Sequence, residues 1–153
     1  TVEGAARNCA RLGIAMMTVH ALGGEAMVRA AVRGATRGAD DAGHAAPMVL
    51  AVTVLSSLAG EGLASPSSLA FEAVAAGASG VVVSGEDVAQ VHEVLGPDAC
   101  LVVPGIRPAG SNGHDQIRIL TPEEAVERGA ELTRQRLEQV AQGGHGIGRD
   151  GWR

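Results

Sequence analysis

The chain has 153 residues, enough for one domain, and its 46% hydrophobic and 19% charged composition is ordinary for a globular protein. Its net charge of −5 argues against a nucleic-acid-binding surface, and no apolar run is long enough to span a membrane. Cys9 and Cys100 fit no metal-binding or redox spacing, which is typical of reduced thiols in a cytoplasmic protein. The first residues lack the apolar segment of a signal peptide. The chain begins with Thr1 inside an amphipathic helical pattern, which indicates a fragment or a processed product.

Hydrophobic patterning predicts helices that alternate with short, continuously apolar strands. Helices are predicted over residues 2–12, 25–36, 66–76 and 86–95 and from residue 121 onward. Strands are predicted over residues 14–19, 48–55, 80–84 and 100–103. The segment 37–47, RGADDAGHAAP, is predicted to be a polar loop in which Asp40 and Asp41 are solvated.

Four buried strands separated by helices require parallel pairing through helical crossovers, which is an α/β fold. Two architectures satisfy this order: an open doubly wound sheet, or an arc of a (β/α)₈ barrel. No GxGxxG motif follows the first strand, which disfavours a dinucleotide-binding version. In either architecture functional side chains collect at the carboxyl ends of the strands, where His20, Ser56, Ser84 and the loop after Val103 fall.

The apolar periodicity fails after Ala130. Residues 1–130 therefore form the α/β unit, and residues 131–153 are predicted to be an atypical polar helix followed by a Gly-rich tail. A shifted reading frame is one hypothesis for the change, and the nucleotide sequence would test it.

The loop in LVVPGIRPAGSNGHDQIRILTPEEA, residues 101–125, has the chemistry of an anion site. Gly105 permits close approach of a ligand, and Arg107 supplies a planar fork for a phosphate or carboxylate. Gln116 can donate and accept hydrogen bonds, and Thr121 opens a helix whose N-terminus favours anions. These residues point to a small anionic ligand, most simply a phosphate ester. A solvated loop with surface arginines explains the spacing equally well.

Other candidate residues carry weaker signals. His20 could act as an acid, a base or a ligand, although a structural histidine is the commoner case at such a position. Ser56 and Ser57 could hydrogen-bond a heterocycle, but no GxSxG motif surrounds them. All twelve basic residues are arginines, so lysine chemistry is excluded for this chain.

Together the segments TVHALGGEAM, AVTVLSSL, GVVVS and VVPGIRP, followed by DQIRILTPEEA, closely resemble bacterial orotidine 5′-phosphate decarboxylase. The resemblance runs from Thr1 to about Ala130, and the order VTVLSS, PGIRP, DQxR is highly specific. It implies a partial (β/α)₈ TIM barrel with about four parallel strands alternating with helices, in which residues 1–130 are the C-terminal portion of the barrel. It also implies a cytoplasmic homodimer that converts orotidine 5′-monophosphate to UMP without a cofactor or metal.

The resemblance also assigns substrate-binding residues. Thr1 matches the last residue of the family's DxKxxDIPNT motif, and Ser56 stands where a Thr or Ser contacts the substrate. Arg107 matches the arginine of GIRP, and Gln116 matches the glutamine that grips the phosphate.

Two departures from the family pattern bear on activity. The catalytic lysine and aspartates of the motif would precede Thr1, and LTRQRL stands where the family has its last strand and a Gly-Arg pair. The resemblance therefore implies a chain that holds the substrate-binding part but no catalytic residues. The alternatives are a non-catalytic half-barrel that binds a partner or persists as a relic, and a phosphate-binding barrel with another chemistry, which PGIRP and DQxR disfavour.

Overall fold

The computed structural model describes residues 1–54, 64–106, 120–130 and 132–133. Within these residues five parallel strands form one sheet, and their order in the sheet is their order in the chain. The strands are β1 (Met16–His20), β2 (Met48–Val52), β3 (Gly80–Val82), β4 (Cys100–Val103) and β5 (Leu132–Thr133).

Helices precede and connect the strands. They are α1 (Val2–Ala10), α2 (Glu25–Ala42), α3 (Pro66–Ala75), α4 (Val88–Leu95) and α5 (Pro122–Glu127), with a 3₁₀ turn at Ala21–Gly23. A doubly wound sheet reverses its strand order at a switch point, whereas a (β/α)₈ barrel adds each strand beside the previous one. The sequential order seen here is that of a barrel arc, and it resolves the choice that the sequence pattern left open.

Both faces of the sheet are apolar. On the helix-covered face Val81, Leu101 and Val103 are buried with side chains from α3 and α4. On the other face Leu50 and Val102 belong to a second cluster, as the alternation of side chains along a strand requires. Among the described residues the core consists almost entirely of Ala, Val and Leu. Aromatic residues contribute little because the chain has only two of them.

Helices α1 and α2 touch backbone to backbone. Gly34 and Gly38 lie four residues apart on one side of α2, and both are buried. A Cβ atom on Gly34 would lie 2.2 Å from the carbonyl oxygen of Glu3, and one on Gly38 would lie 2.1 Å from that of Arg7. Such distances are far shorter than any van der Waals contact, so glycine is required at both positions for this packing.

The end of α2 differs from the predicted one. The helix continues to Ala42, so the predicted loop over residues 37–47 is wrong for its first six residues. Contact with α1 explains the extension, because Gly38 packs on α1 and the Arg7 Nε donates a 2.7 Å hydrogen bond to Asp41. Gly43, with φ of 70°, then ends the helix in the left-handed conformation.

The sequence predicts Asp41 to be a solvated loop residue, but it lies in α2 and forms an ion pair with Arg7. Its hydrogen bond from Arg7 holds the pKa of the Asp41 carboxyl below the usual value. The stabilising contribution of a carboxyl with a lowered pKa is complete above its unfolded pKa and is lost as the pH falls through the folded one. This pair therefore supports the α1–α2 contact at neutral pH and weakens in acid.

The sheet continues one strand beyond the four that the sequence pattern predicts. Leu132 and Thr133 pair in parallel with Val102 and Val103, where the polar pattern predicts a helix. An available edge of β4 offers backbone hydrogen bonds that local composition does not reveal. Residues 134–153, which make up most of the predicted helix and tail, lie outside the described residues.

None of the helices in the described ranges has the length and apolar character needed to cross a bilayer.

Candidate functional site

The carboxyl ends of β1 to β4 meet at one edge of the sheet. His20 ends β1 and pairs in register with Val52 of β2. Val52 pairs with Val82 of β3, and Val82 pairs with Val102 of β4. His20 is exposed, and alternation along β1 puts it on the sheet face opposite Val19, which packs toward the helices. It thus lies on the same face as Leu50, which is the inner face of the arc.

Thr53 fixes the end of β2. Its side chain is 1% exposed, and its Oγ1 donates a 3.1 Å hydrogen bond to the carbonyl oxygen of Val82. Its backbone N–H donates to the same oxygen. These two bonds hold the carboxyl ends of β2 and β3 together, shortly before Ser56 in the sequence. Thr53 was not selected from the sequence, although a threonine inside the apolar run VLAVTVL is the signal that identifies it.

The turn between β3 and α4 is closed by its own side chains. The Ser84 hydroxyl donates a 2.5 Å hydrogen bond to the Asp87 carboxylate, and the Ser84 carbonyl accepts the first amide bonds of α4. Ser84 therefore closes the turn that leads into α4, whose N-cap is Asp87. The Arg128 guanidinium donates a 3.1 Å hydrogen bond to the carbonyl of Gly85, which ties the end of α5 to this turn.

The residues that come just before and just after 107–119 lie at the same edge. Before it, Gly105 has φ of 78° and Ile106 is buried. After it, Leu120 lies so close to Gly85 that a Cβ atom there would meet its Cδ1 at 2.1 Å. Thr121 and Glu124 then form the predicted capping box, with hydrogen bonds of 3.2 Å and 2.9 Å. The anchors of the predicted anion loop therefore lie beside the turn that follows β3.

Of the four substrate-binding residues predicted from the sequence, the structure describes Thr1. It is the N-cap of α1 and is exposed, and its carbonyl accepts a 3.0 Å hydrogen bond from the Ala5 N–H. Its hydroxyl makes no capping bond and remains available. Ser56, Arg107 and Gln116 lie outside the described residues, so their roles stay predictions.

No metal centre is evident in the part of the chain that the structure describes. No group of three or more His, Cys, Asp or Glu side chains there could hold an ion. What this edge offers instead is hydroxyl groups, backbone amides and the anchored residues on either side of 107–119. Such groups suit hydrogen bonding to a small polar ligand.

The model of the family described as Orotidine 5′-phosphate decarboxylase / HUMPS matches residues 1–133. The chain belongs to this family. The family membership agrees with the parallel, sequentially ordered sheet, which is a partial (β/α)₈ barrel.

Curated relatives have the same family name. The chain is 51% identical over 142 residues to an orotidine 5′-phosphate decarboxylase of Anaeromyxobacter dehalogenans, covering 86% of this chain and 59% of that protein. It is 42% identical over 141 residues to the one from Moorella thermoacetica, covering 85% and 56%. The chain thus spans less than two thirds of the length of these decarboxylases.

A solved structure agrees with the fold. The crystal structure of orotidine 5′-phosphate decarboxylase from Lactobacillus acidophilus superposes with a TM-score of 0.72 at 38% identity, covering 86% of this chain and 58% of that one. An orotidine 5′-phosphate decarboxylase is therefore similar to this chain in both sequence and backbone, over the arc that the chain contains.

Proposed function

We propose that this chain is the substrate-binding part of an orotidine 5′-phosphate decarboxylase, which converts orotidine 5′-monophosphate to UMP and carbon dioxide. The observation that carries the proposal is the 51% identity to a decarboxylase of this name over most of the chain. The placement of Gly105 and Thr121 at the carboxyl edge of the sheet supports it, because ligands of parallel α/β folds bind at that edge.

The proposed phosphate contacts are Arg107 and Gln116. A guanidinium can pair with two phosphate oxygens at once, and a charge-assisted bond of this kind is stronger than a neutral one. Gln116 adds a neutral donor from its side-chain amide. Ser56 follows the Thr53 anchor and is proposed to hydrogen-bond the rest of the nucleotide, and Thr1 contributes its spare hydroxyl.

We propose further that this polypeptide binds the nucleotide without decarboxylating it. Loss of carbon dioxide leaves a carbanion that needs a proton donor at neutral pH, and the family uses a lysine for this step. The chain contains no lysine. The chemistry calls for no cofactor or metal, and for the whole enzyme we propose a cytoplasmic homodimer.

The test of nucleotide binding is a calorimetric titration of the 153-residue chain with UMP, with uridine as the matched ligand that lacks only the phosphate. We expect UMP to bind at least about tenfold more tightly than uridine, because charged hydrogen bonds to the phosphate contribute about 1.5–3 kcal/mol each. Equal affinities would contradict the proposed phosphate contacts. Binding of neither ligand would favour the alternative of a non-catalytic half-barrel, which the lack of lysine also permits.

A further inference from the structure

We propose that Glu3 is a positioning residue that holds Thr1 in place for the substrate. The proposal rests on the proposed function, since it takes Thr1 to be a substrate contact. Glu3 lies two residues beyond Thr1, in the first turn of α1, and its side chain is aimed away from the chain start toward α2.

The carboxylate of Glu3 is shared between two arginines of α2. Oε1 accepts a 2.6 Å hydrogen bond from Arg37, and Oε2 accepts bonds of 3.1 Å and 3.3 Å from Arg33. An isolated exposed ion pair contributes little to stability, but a carboxylate with a separate cation on each oxygen forms a network. The Glu3 side chain is 32% exposed, so about two thirds of it is already removed from solvent.

The backbone of the same residue is fixed as well. The carbonyl oxygen of Glu3 packs directly on Gly34, in the position where any side chain would clash. The first turn of α1 is thus bound to α2 through both the main chain and the side chain of one residue. Helix termini otherwise fray, because their first amides have no partners within the helix.

Thr1 depends on that turn for its position. Its carbonyl accepts the Ala5 amide, and this bond is the first of α1. Its hydroxyl takes no part in capping the helix, so a ligand could use it without cost to the helix. Loss of the Glu3 contacts would free the first turn and let the Thr1 hydroxyl sample many positions, which would weaken its bond to a ligand.

A double-mutant cycle read by UMP titration of the 153-residue chain tests the proposal. We expect Thr1→Val to weaken UMP binding about fivefold and Glu3→Ala to weaken it by a similar factor. Because Glu3 acts through Thr1, the double variant should bind no more weakly than Thr1→Val alone. Glu3→Gln keeps one acceptor oxygen but places an amide NH2 group against the second arginine, so it should recover only part of the affinity that Glu3→Ala loses.

The matched control is Asp41→Ala, which removes the other ion pair between α1 and α2 at a point remote from Thr1. Its UMP affinity should stay within about twofold of the wild type, as expected for a surface pair. Wild-type affinity in Glu3→Ala, or losses that multiply in the double variant, would overturn the positioning role.

Amide hydrogen exchange at Ala5 separates this proposal from the proposed function. Glu3→Ala should accelerate exchange at that amide whether or not a nucleotide binds, because the amide reports on the first turn of α1. Unchanged exchange would overturn the role of Glu3. A wild-type chain that binds no UMP would instead contradict the proposed function, and the exchange rate would still decide whether Glu3 fastens the turn.

Discussion

Replacing Gly38 by alanine is expected to destabilise the chain by about 2–3 kcal/mol, the cost of forcing extra volume into a close-packed contact. The added Cβ atom would lie 2.1 Å from the carbonyl oxygen of Arg7 and 2.8 Å from its carbonyl carbon. These are backbone atoms, so no side-chain rotation can relieve the overlap, and α1 must move away from α2. Urea denaturation followed by circular dichroism measures the change.

Gly4→Ala is the matched control, since it makes the same substitution in the partner helix. No atom lies within 4 Å of a Cβ built on Gly4, and the residue is exposed within α1. Alanine should therefore stabilise the chain there by about 0.5–1 kcal/mol through its higher helix propensity. A Gly38→Ala variant as stable as the wild type would contradict the backbone contact between α1 and α2.

The second large effect is expected at the proposed phosphate contact. Arg107→Ala should weaken UMP binding about 10- to 100-fold, because a charged hydrogen bond to the phosphate contributes about 1.5–3 kcal/mol. Gln116→Ala should weaken it about fivefold, as expected for a neutral hydrogen bond. Neither change should alter uridine binding, since uridine has no phosphate. Calorimetric titration with both ligands measures these differences.

Arg11→Ala controls for the loss of one positive charge. Arg11 is exposed at the carboxyl end of α1, where it follows the last residue of the helix. Its removal should leave UMP affinity within about twofold, because salt screens distant surface charges. An Arg107→Ala variant that loses UMP and uridine affinity to the same extent would show that this arginine supports the loop and does not bind phosphate.

Much of the architecture follows from sequence patterns that depend on nearby residues. Continuous apolar runs predict β1 to β4, and the TPEE sequence predicts the capping box of Thr121 and Glu124 that the structure contains. Both signals are local, because a buried strand must be apolar and an N-terminal cap needs particular side chains within one turn.

The extension of α2 and the strand β5 could not be predicted from local patterns, because both depend on contacts with residues distant in the sequence. Gly38 and Asp41 have the composition of a loop, yet contact with α1 keeps them in a helix. Leu132 and Thr133 become a strand because β4 offers an edge next to them. In both cases a tertiary contact outweighs local propensity.

The candidate site likewise combines residues that sequence motifs predict with residues whose partners are distant in the chain. Motif resemblance predicts substrate-binding roles for Thr1, Ser56, Arg107 and Gln116, and these roles stay predictions. The residues that build the surrounding edge, such as Thr53 and Arg128, form hydrogen bonds to carbonyls of residues 29 and 43 positions away. No sequence motif specifies such partners, so only the folded chain shows them.

Under the proposed function, this chain holds the nucleotide-binding part of an orotidine 5′-phosphate decarboxylase but not its proton donor. Equilibrium dialysis of the purified 153-residue chain against labelled orotidine 5′-monophosphate, followed by chromatography of the nucleotide, tests it most directly. We expect the chain to retain the nucleotide and the nucleotide to be recovered unchanged. Conversion to UMP above a protein-free control, or no retention of the nucleotide, would contradict the claim.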